Sequence, residues 1–325
     1  MNIRNCVSYR LDGKKVWVAG HRGMVGSAVV RRLASEGCDI LTASRTELDL
    51  RRQSDVEAWM DRFRPHAIIV AAATVGGILA NDTHPAEFLY DNLAIEANII
   101  HGAKQFGAEK LLLLGSSCIY PRLADQPIQE DALLTGPLEP TNQWYAVAKI
   151  AGIKLCQAYR RQFGSDFISA MPPNLYGPND NFDPVSSHVL PALMLKAHRA
   201  KREGRREIEL WGTGKPRREF MYVDDLADAL VYLLQVYSGE DPVNVGVGYD
   251  VTISELAEMI MCVVGVDAQI RFNSSIPDGT PRKLLDSGRL LSMGWRPETD
   301  LEQGLRKLYA WYLQTESLNS EVSLG

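Results

Sequence analysis

Short apolar runs alternate with longer helical patterns through the first two-thirds of the chain. Lys15–Ala19 and segments 39–44, 66–73, 110–115 and 166–172 are β-branched or Leu-rich and short enough to be buried strands. Between them, segments 24–35, 54–63, 85–106 and 142–163 carry apolar residues at helical spacing. This alternation predicts an α/β fold with a doubly wound parallel sheet of the Rossmann type. After Gly177 the regularity breaks. A polar loop over 178–187 leads into an apolar helix and a charged stretch, 201–207, which reads as a solvated loop. Residues 218–225 read as a strand running into a helix N-cap, with a helix over 226–235 and a strand over 243–247, pieces expected to return to the first sheet. Helical patterns at Ile253–Val264 and 301–313 flank a short strand at 269–272, and the polar tail 317–325 is expected to fray. The predicted organisation is a dinucleotide-binding domain of residues 1–177 and 214–251, with a smaller, discontinuous substrate domain of residues 178–213 and 252–325.

Composition narrows the function. The 325 residues carry a net charge of -5, so nucleic acid is not expected as a partner. No apolar run approaches the roughly 20 residues of a membrane span, and residues 1–14 are too polar for a secretory h-region, so no membrane partner and a cytoplasmic location are expected. The cysteines, Cys6, Cys38, Cys118, Cys156 and Cys262, are odd in number and show no C-x-x-C spacing. Neither a disulfide framework nor a metal site is expected. Cys156 and Cys262 read as packing residues; His84, His101 and His198 read as helix-face or surface residues.

Three local patterns carry chemistry. Gly20-His21-Arg22-Gly23-Met24-Val25-Gly26 follows a strand and opens a helix, where glycines let the backbone approach a pyrophosphate and the helix N-terminus meets its charge. An NAD site usually ends its second strand in Asp or Glu, but this strand ends Ala43-Ser44-Arg45. Arg45 and Arg22 offer guanidinium groups to a 2′-phosphate, which predicts NADP(H) as the cofactor. Next, Gly115-Ser116-Ser117-Cys118 is delivered to the carboxyl edge of the sheet, where open α/β sheets bind ligands. Finally, the four-residue spacing of Tyr145 and Lys149 puts phenol and ammonium on one helix face, where the ammonium is expected to lower the tyrosine pKa. Ser116, Tyr145 and Lys149 together make a reductase triad. On the residues alone, Cys118 also reads as a packed apolar thiol and His188 as a helix cap.

These motifs resemble the extended short-chain dehydrogenase/reductases that act on nucleotide sugars. Several runs match the fucose synthase branch of that family: Val75-Gly76-Gly77-Ile78, Gly115-Ser116-Ser117-Cys118-Ile119-Tyr120-Pro121, Glu139-Pro140-Thr141-Asn142, Asn174-Leu175-Tyr176-Gly177-Pro178 and Pro277-Asp278-Gly279-Thr280-Pro281-Arg282-Lys283. Trp144 is a local departure, where a smaller residue is expected. The resemblance implies a substrate, GDP-4-keto-6-deoxy-D-mannose, epimerised at C3 and C5 and then reduced at C4. It implies Cys118 as base, His188 as acid, Ser116 as carbonyl ligand, Tyr145 as final proton donor, and Lys149 as its partner and a holder of the nicotinamide ribose. It places the cofactor against Gly20, Arg22, Gly23, Met24, Val25, Gly26, Arg45, Leu114, Gly115, Ser116, Lys149, Pro172, Asn174, Leu175 and His188. It places the GDP-sugar against Lys196, Trp211, Arg218 and Asp278, and it implies a homodimer formed through the helices over 85–106 and 142–163. A 4,6-dehydratase would need a carboxylate directly after its serine, and Cys118-Ile119-Tyr120 has none. A 4-epimerase that recycles NAD needs neither Cys118 nor His188; an enzyme that only epimerises is separated by net NADPH consumption.

Overall fold

In β1 (Lys15–Ala19) every second side chain faces the same way, and both faces are apolar: Val16 and Val18 enter one core, Trp17 and Ala19 another. A strand buried on both faces belongs in the interior of a parallel sheet. The computed structural model, which describes residues 9–183, 186–275 and 278–322, places it there. The first half of the chain runs α1 (Met24–Leu33), β2 (Asp39–Leu41), α2 (Gln53–Phe63), β3 (Ala67–Val70), α3 (Ile78–Thr83), α4 (Pro85–Gln105), β4 (Lys110–Leu114), α5 (Gln143–Phe163) and β5 (Asp166–Met171). The second continues with β6 (Asn174–Tyr176), α6 (Val189–Glu203), β7 (Glu207–Trp211), β8 (Arg217–Arg218), β9 (Phe220–Tyr222), α7 (Val223–Val236) and β10 (Val243–Asn244). It closes with β11 (Val251–Thr252), α8 (Ile253–Val264), β12 (Gln269–Asn273), β13 (Arg282–Lys283), α9 (Gly288–Ser292) and α10 (Leu301–Val322).

The main sheet has six strands in the order β10-β5-β4-β3-β1-β2, all pairs parallel. On one face α1 and α7 bury Val29, Leu33, Leu226 and Leu230; on the other, α2, α4 and α5 bury Met60, Ile99, Ile100 and Ile153. The order reverses between β1 and β3, the switch point that opens a crevice beyond the strand ends. A third core gathers Leu190 and Met194 of α6, Leu256 and Ile260 of α8, and Leu305 and Leu308 of α10 beside this sheet. Helix α8 opens with a reciprocal cap: Thr252 Oγ1 accepts from Glu255 N at 3.0 Å, and Glu255 Oε2 accepts from Thr252 N at 2.7 Å.

Several expectations need correction. The charged stretch 201–207 is not a loop: Lys201 to Glu203 finish α6, Gly204 ends it in the left-handed region at φ 65°, and Glu207 starts β7. Strand β7 pairs in parallel with β12 in its own two-stranded sheet. Only part of the segment after 218 returns to the main sheet, since β10 pairs with β5 while β9 pairs with β6. Helix α10 continues through Val322 instead of fraying at 317. Cys262 is exposed, and His198 is buried with its Nδ1 3.1 Å from the Tyr309 hydroxyl. Cys6, Pro277 and residues 323–325 lie outside the described residues. Among the described residues no helix is long and apolar enough to cross a membrane, and no group of acidic, histidine or cysteine side chains could hold a metal.

Leu305 is fully buried in the third core. Leu305→Ala should cost about 2–5 kcal/mol, read as a lower urea midpoint at unchanged slope.

Candidate active site

The loop after β1 turns at Gly20 with φ +89°, and a Cβ there would meet Ala72 N at 2.6 Å. A Cβ on Gly26 would sit 2.1 Å from Gly20 O, so Gly26 lets the first turn of α1 lie against the strand end. Gly23 differs. Its added Cβ would meet only Gly20 O, at an ordinary 3.5 Å. The protein itself leaves that side open, as a cradle for a dinucleotide pyrophosphate requires, and Gly23 is the N-cap of α1, whose first N–H groups point outward. At the far edge, Arg22 and Arg45 are exposed and have no hydrogen-bond or ion-pair partner among the described residues. Ser44, which precedes Arg45, instead holds Glu47, whose Oε2 accepts from Ser44 N and Oγ at 2.7 and 2.6 Å.

The loop after β4 supplies the centre. At Gly115 the side chain of Met171 fills the space a Cβ would take, with Met171 Sδ 2.3 Å from that position. Ser116 caps a one-turn helix over Ser117–Ile119, its Oγ 3.4 Å from Cys118 N, and Ser117 N donates to Pro172 O at 3.0 Å. Cys118 is buried, 6% exposed, and burial pushes its thiol above the ordinary value, with Lys283, the Ser116 side chain and then Lys149 opposing the shift.

Tyr145 stands at the start of α5, its hydroxyl without a hydrogen-bond partner among the described residues and its ring 5.7 Å from Lys149 Nζ. Lys149 does pull the tyrosine toward phenolate, but burial outweighs it and the phenol is pushed up, not down as the spacing suggested. The ammonium is itself engaged: Lys149 Nζ donates to Leu114 O at 2.9 Å and lies 2.8 Å from Glu96 Oε1. Of its three protons, two are held by protein and one is left for the cavity.

His188 is the N-cap residue of α6, yet its side chain makes no capping hydrogen bond. Its ring is open to the cavity, and the surrounding protein lowers its pKa below 6.5. From the third core, Lys196 Nζ donates to Glu209 O at 3.0 Å and lies 4.9 Å from the centre of the Trp211 ring. Arg218 faces the same space, where burial lowers its pKa against the attraction of Glu139 and Asp278. Asp278 accepts from Thr213 N and Oγ1 at 2.9 and 2.7 Å, which pins the segment after 277 to the loop after β7. Asn174 donates its side-chain amide to Glu219 O at 3.0 Å, and Trp144 is largely exposed.

All the site residues expected from sequence except Gly26 line one cavity of about 1710 Å³. That exceeds the roughly 300–1,000 Å³ of a pocket for one drug-sized ligand, leaving room for a dinucleotide and a nucleotide sugar together.

A family model described as the NAD dependent epimerase/dehydratase family matches residues 16–246. The chain belongs to that family. It is 60% identical over 311 residues to a protein of Sinorhizobium fredii named GDP-L-fucose synthase, covering 96% of this chain and 99% of that one. Among solved structures, a GDP-6-OMe-4-keto-L-xylo-heptose reductase from C. jejuni superposes with a TM-score of 0.88 at 34% identity, over 93% of this chain and 98% of that one. A GDP-L-fucose synthetase from Naegleria fowleri bound to NADP superposes with a TM-score of 0.86 at 27% identity, over 95% of this chain and 97% of that one.

Three further charged groups of this epimerase/dehydratase chain escaped the sequence reading. Glu139 lines the cavity and accepts from Thr280 Oγ1 at 3.1 Å; Lys283 lines it without a hydrogen bond or ion pair among the described residues. Both lie inside motifs quoted for the resemblance but were given no role. Glu96 lies behind the cavity, on the apolar stripe Asn92, Ile95, Glu96, Ile99, Ile100 and Ala103, and an acid on a core-facing stripe was a legible signal.

The two glycines of the first loop separate binding from folding. Gly23→Ala should keep the thermal midpoint of the native chain while abolishing dinucleotide binding by calorimetry, whereas Gly26→Ala should lower the midpoint itself by several degrees.

Proposed function

We infer that the chain is an NADPH-dependent epimerase and reductase that converts GDP-4-keto-6-deoxy-D-mannose into GDP-L-fucose. The observation that carries this is the 60% identity over 96% of the chain to a GDP-L-fucose synthase. The chemistry of the lining supports it. Ser116, Cys118, Tyr145, Lys149 and His188, from three separate segments, border one cavity.

A ketone at C4 acidifies the hydrogens on C3 and C5. Cys118, as thiolate, takes the proton from one face, and the electron pair moves to the C4 oxygen as an enolate. Ser116 and the Tyr145 hydroxyl donate to that oxygen, which stabilises the developing charge. His188, as imidazolium, returns a proton to the opposite face, and the configuration inverts. After both inversions the cofactor, when bound, supplies hydride to C4. Tyr145 then gives its hydroxyl proton to the alkoxide oxygen. A tyrosine held protonated by burial is in the form this step needs, and Lys149 stabilises the phenolate it leaves. The remaining proton of Lys149 holds the nicotinamide ribose, a role supported by its freedom from the two contacts that engage the rest of the ammonium. Lys196, Arg218 and Asp278 supply charges for the diphosphate and hydroxyls of the GDP-sugar, and Trp211 a flat face for packing.

NADP(H) in preference to NAD(H) is supported by Arg22 and Arg45 beside the cradle at Gly23, neither with a partner among the described residues. A substrate domain of residues 178–213 and 252–325 is supported by the third core. The exposed Tyr90, Trp144 and Val147 on α4 and α5 support a homodimer formed through those helices. Free cysteines at Cys38, Cys118, Cys156 and Cys262 fit the reducing cytoplasm.

Cys118→Ser tests the base. Incubated in heavy water with the keto-sugar, the wild type should exchange the C3 and C5 hydrogens; the variant should not, while still reducing the unepimerised ketone. Exchange at the wild-type rate by the variant contradicts the assignment. The pKa directions also set the pH dependence. With His188 below 6.5 and Cys118 above 9.0, the thiolate fraction rises tenfold per pH unit between those limits while the imidazolium fraction falls tenfold, so exchange should be flat from pH 6.5 to 9.0. A maximum inside that interval contradicts it. Replacing Arg22 and Arg45 by Ala should raise KM for NADPH at least about 10-fold and leave that for NADH within about twofold, since only NADPH carries the 2′-phosphate.

A further inference from the structure

Behind Tyr145 and Lys149 lies a carboxylate that no step above uses. Glu96 is 2% exposed, as is Lys149, and its Oε1 lies 2.8 Å from Lys149 Nζ. Apart from that contact neither of its oxygens has a hydrogen-bond partner among the described residues. The space it occupies is built for it: Gly152, three residues after Lys149 on α5, has no side chain, and a Cβ there would meet Glu96 Oε2 at 2.0 Å. A buried ion pair seldom improves stability over apolar residues of the same volume, because both charges lose their water. The stripe around Glu96 is otherwise apolar apart from Asn92.

We propose that Glu96 is a positioning residue of the reduction step: its carboxylate fixes the Lys149 ammonium and, by standing behind it, holds the Tyr145–Lys149 pair in its proton-donating form. The proposal rests on the reading of Tyr145 as the donor. Burial pushes the Glu96 carboxyl up, and the Lys149 ammonium 2.8 Å away opposes that shift; held as a carboxylate by this contact, Glu96 balances the positive charge of Lys149 from behind, so the pull on the Tyr145 proton is weakened and the hydroxyl stays intact until an alkoxide needs it. That suits an enzyme whose tyrosine acts first as an acid. The charged and titratable groups facing this cluster are Lys149, Tyr145 and Cys156 on α5 and Cys118 after β4, with Lys283 of β13 acting on Cys118 and Arg160 on Cys156. Glu96 is the one carboxyl in this cluster; phenolate formation at Tyr145 is opposed by burial, then by Cys118 and Glu96, and favoured by Lys149.

Removing the negative charge must lower the pH at which the Tyr145–Lys149 pair gives up its first proton, whichever of the two releases it. The test is the pH profile of single-turnover NADPH oxidation by the full-length enzyme with its keto-sugar. In Glu96→Gln the alkaline limb should move down by roughly one pH unit or more, the size expected for one charge several Å away at an effective dielectric of about 20. Glu96→Asp, which keeps the charge, should hold the limb near its wild-type position even if the rate falls. Glu96→Ala, which admits water beside Lys149, provides a second charge-free variant. An unmoved limb in a folded Gln or Ala variant overturns the proposal, as does an equal shift in the Asp variant. If neither charge-free variant folds while Asp does, the carboxylate is structural and the proposal also falls. Tyr145→Phe is the separate control: full NADPH oxidation by that variant would remove the donor reading itself, independently of Glu96.

Discussion

The common direction of the six strands in the main sheet is the constraint on which the site depends. Because β1, β4 and β5 all run the same way, their carboxyl ends reach the same edge, and the loops after them carry Gly20 to Gly26, Gly115 to Cys118 and Pro172 to Leu175 to one crevice. Small residues at those ends keep the crevice open. Helix α5 follows β4 and presents Tyr145 and Lys149 across the mouth, with Lys149 hydrogen-bonded to the last residue of β4. The opposing wall comes from the third core, so the cavity is lined by segments that pack in separate cores.

Burial gives the polar groups of this crevice their character. It pushes the thiol of Cys118 and the phenol of Tyr145 up, and the protein around the cavity-facing imidazole of His188 displaces enough water to push that group down, so each favours its uncharged form in the free protein. For a proton donor such as Tyr145 that is the working form. In the proposed mechanism the working forms of Cys118 and His188 are the charged ones, a thiolate and an imidazolium, so that mechanism relies on a small productive fraction. Glu219 plays a different part. Fully buried, it accepts from Val247 N, Gly248 N and Leu285 N at 2.6, 2.9 and 3.0 Å, tying the segment after β10 to the segment after β13.

Elements packed against their chain neighbours were legible in the sequence. Strand β1 falls on its expected bounds, and α4 and α5 differ from expectation by a residue at one end, because local periodicity and the strand-end glycines coincide there. The pairing of β7 with β12 was hidden, since Glu207 reads as the end of the charge run 201–207 and the partner strand lies some 60 residues away, from Gln269 to Asn273. Likewise Phe220–Tyr222 reads as one more strand of the main sheet, and only the tertiary fold pairs it with Asn174–Tyr176. Within the site, the spacing of Tyr145 and Lys149 announced their proximity but not the sign of the tyrosine's shift. That sign is set by burial, with smaller contributions from Cys118 and from Glu96, a residue 53 positions earlier than Lys149 on another helix.

The central claim is that one cavity both inverts and reduces the same sugar. The most direct measurement follows NADPH oxidation and product configuration together when the wild-type protein is given GDP-4-keto-6-deoxy-D-mannose. One NADPH consumed per sugar, with GDP-L-fucose as the product, is the expected result. Epimerised ketone without NADPH loss, or a reduced sugar that keeps the D-manno configuration at C3 and C5, would contradict it.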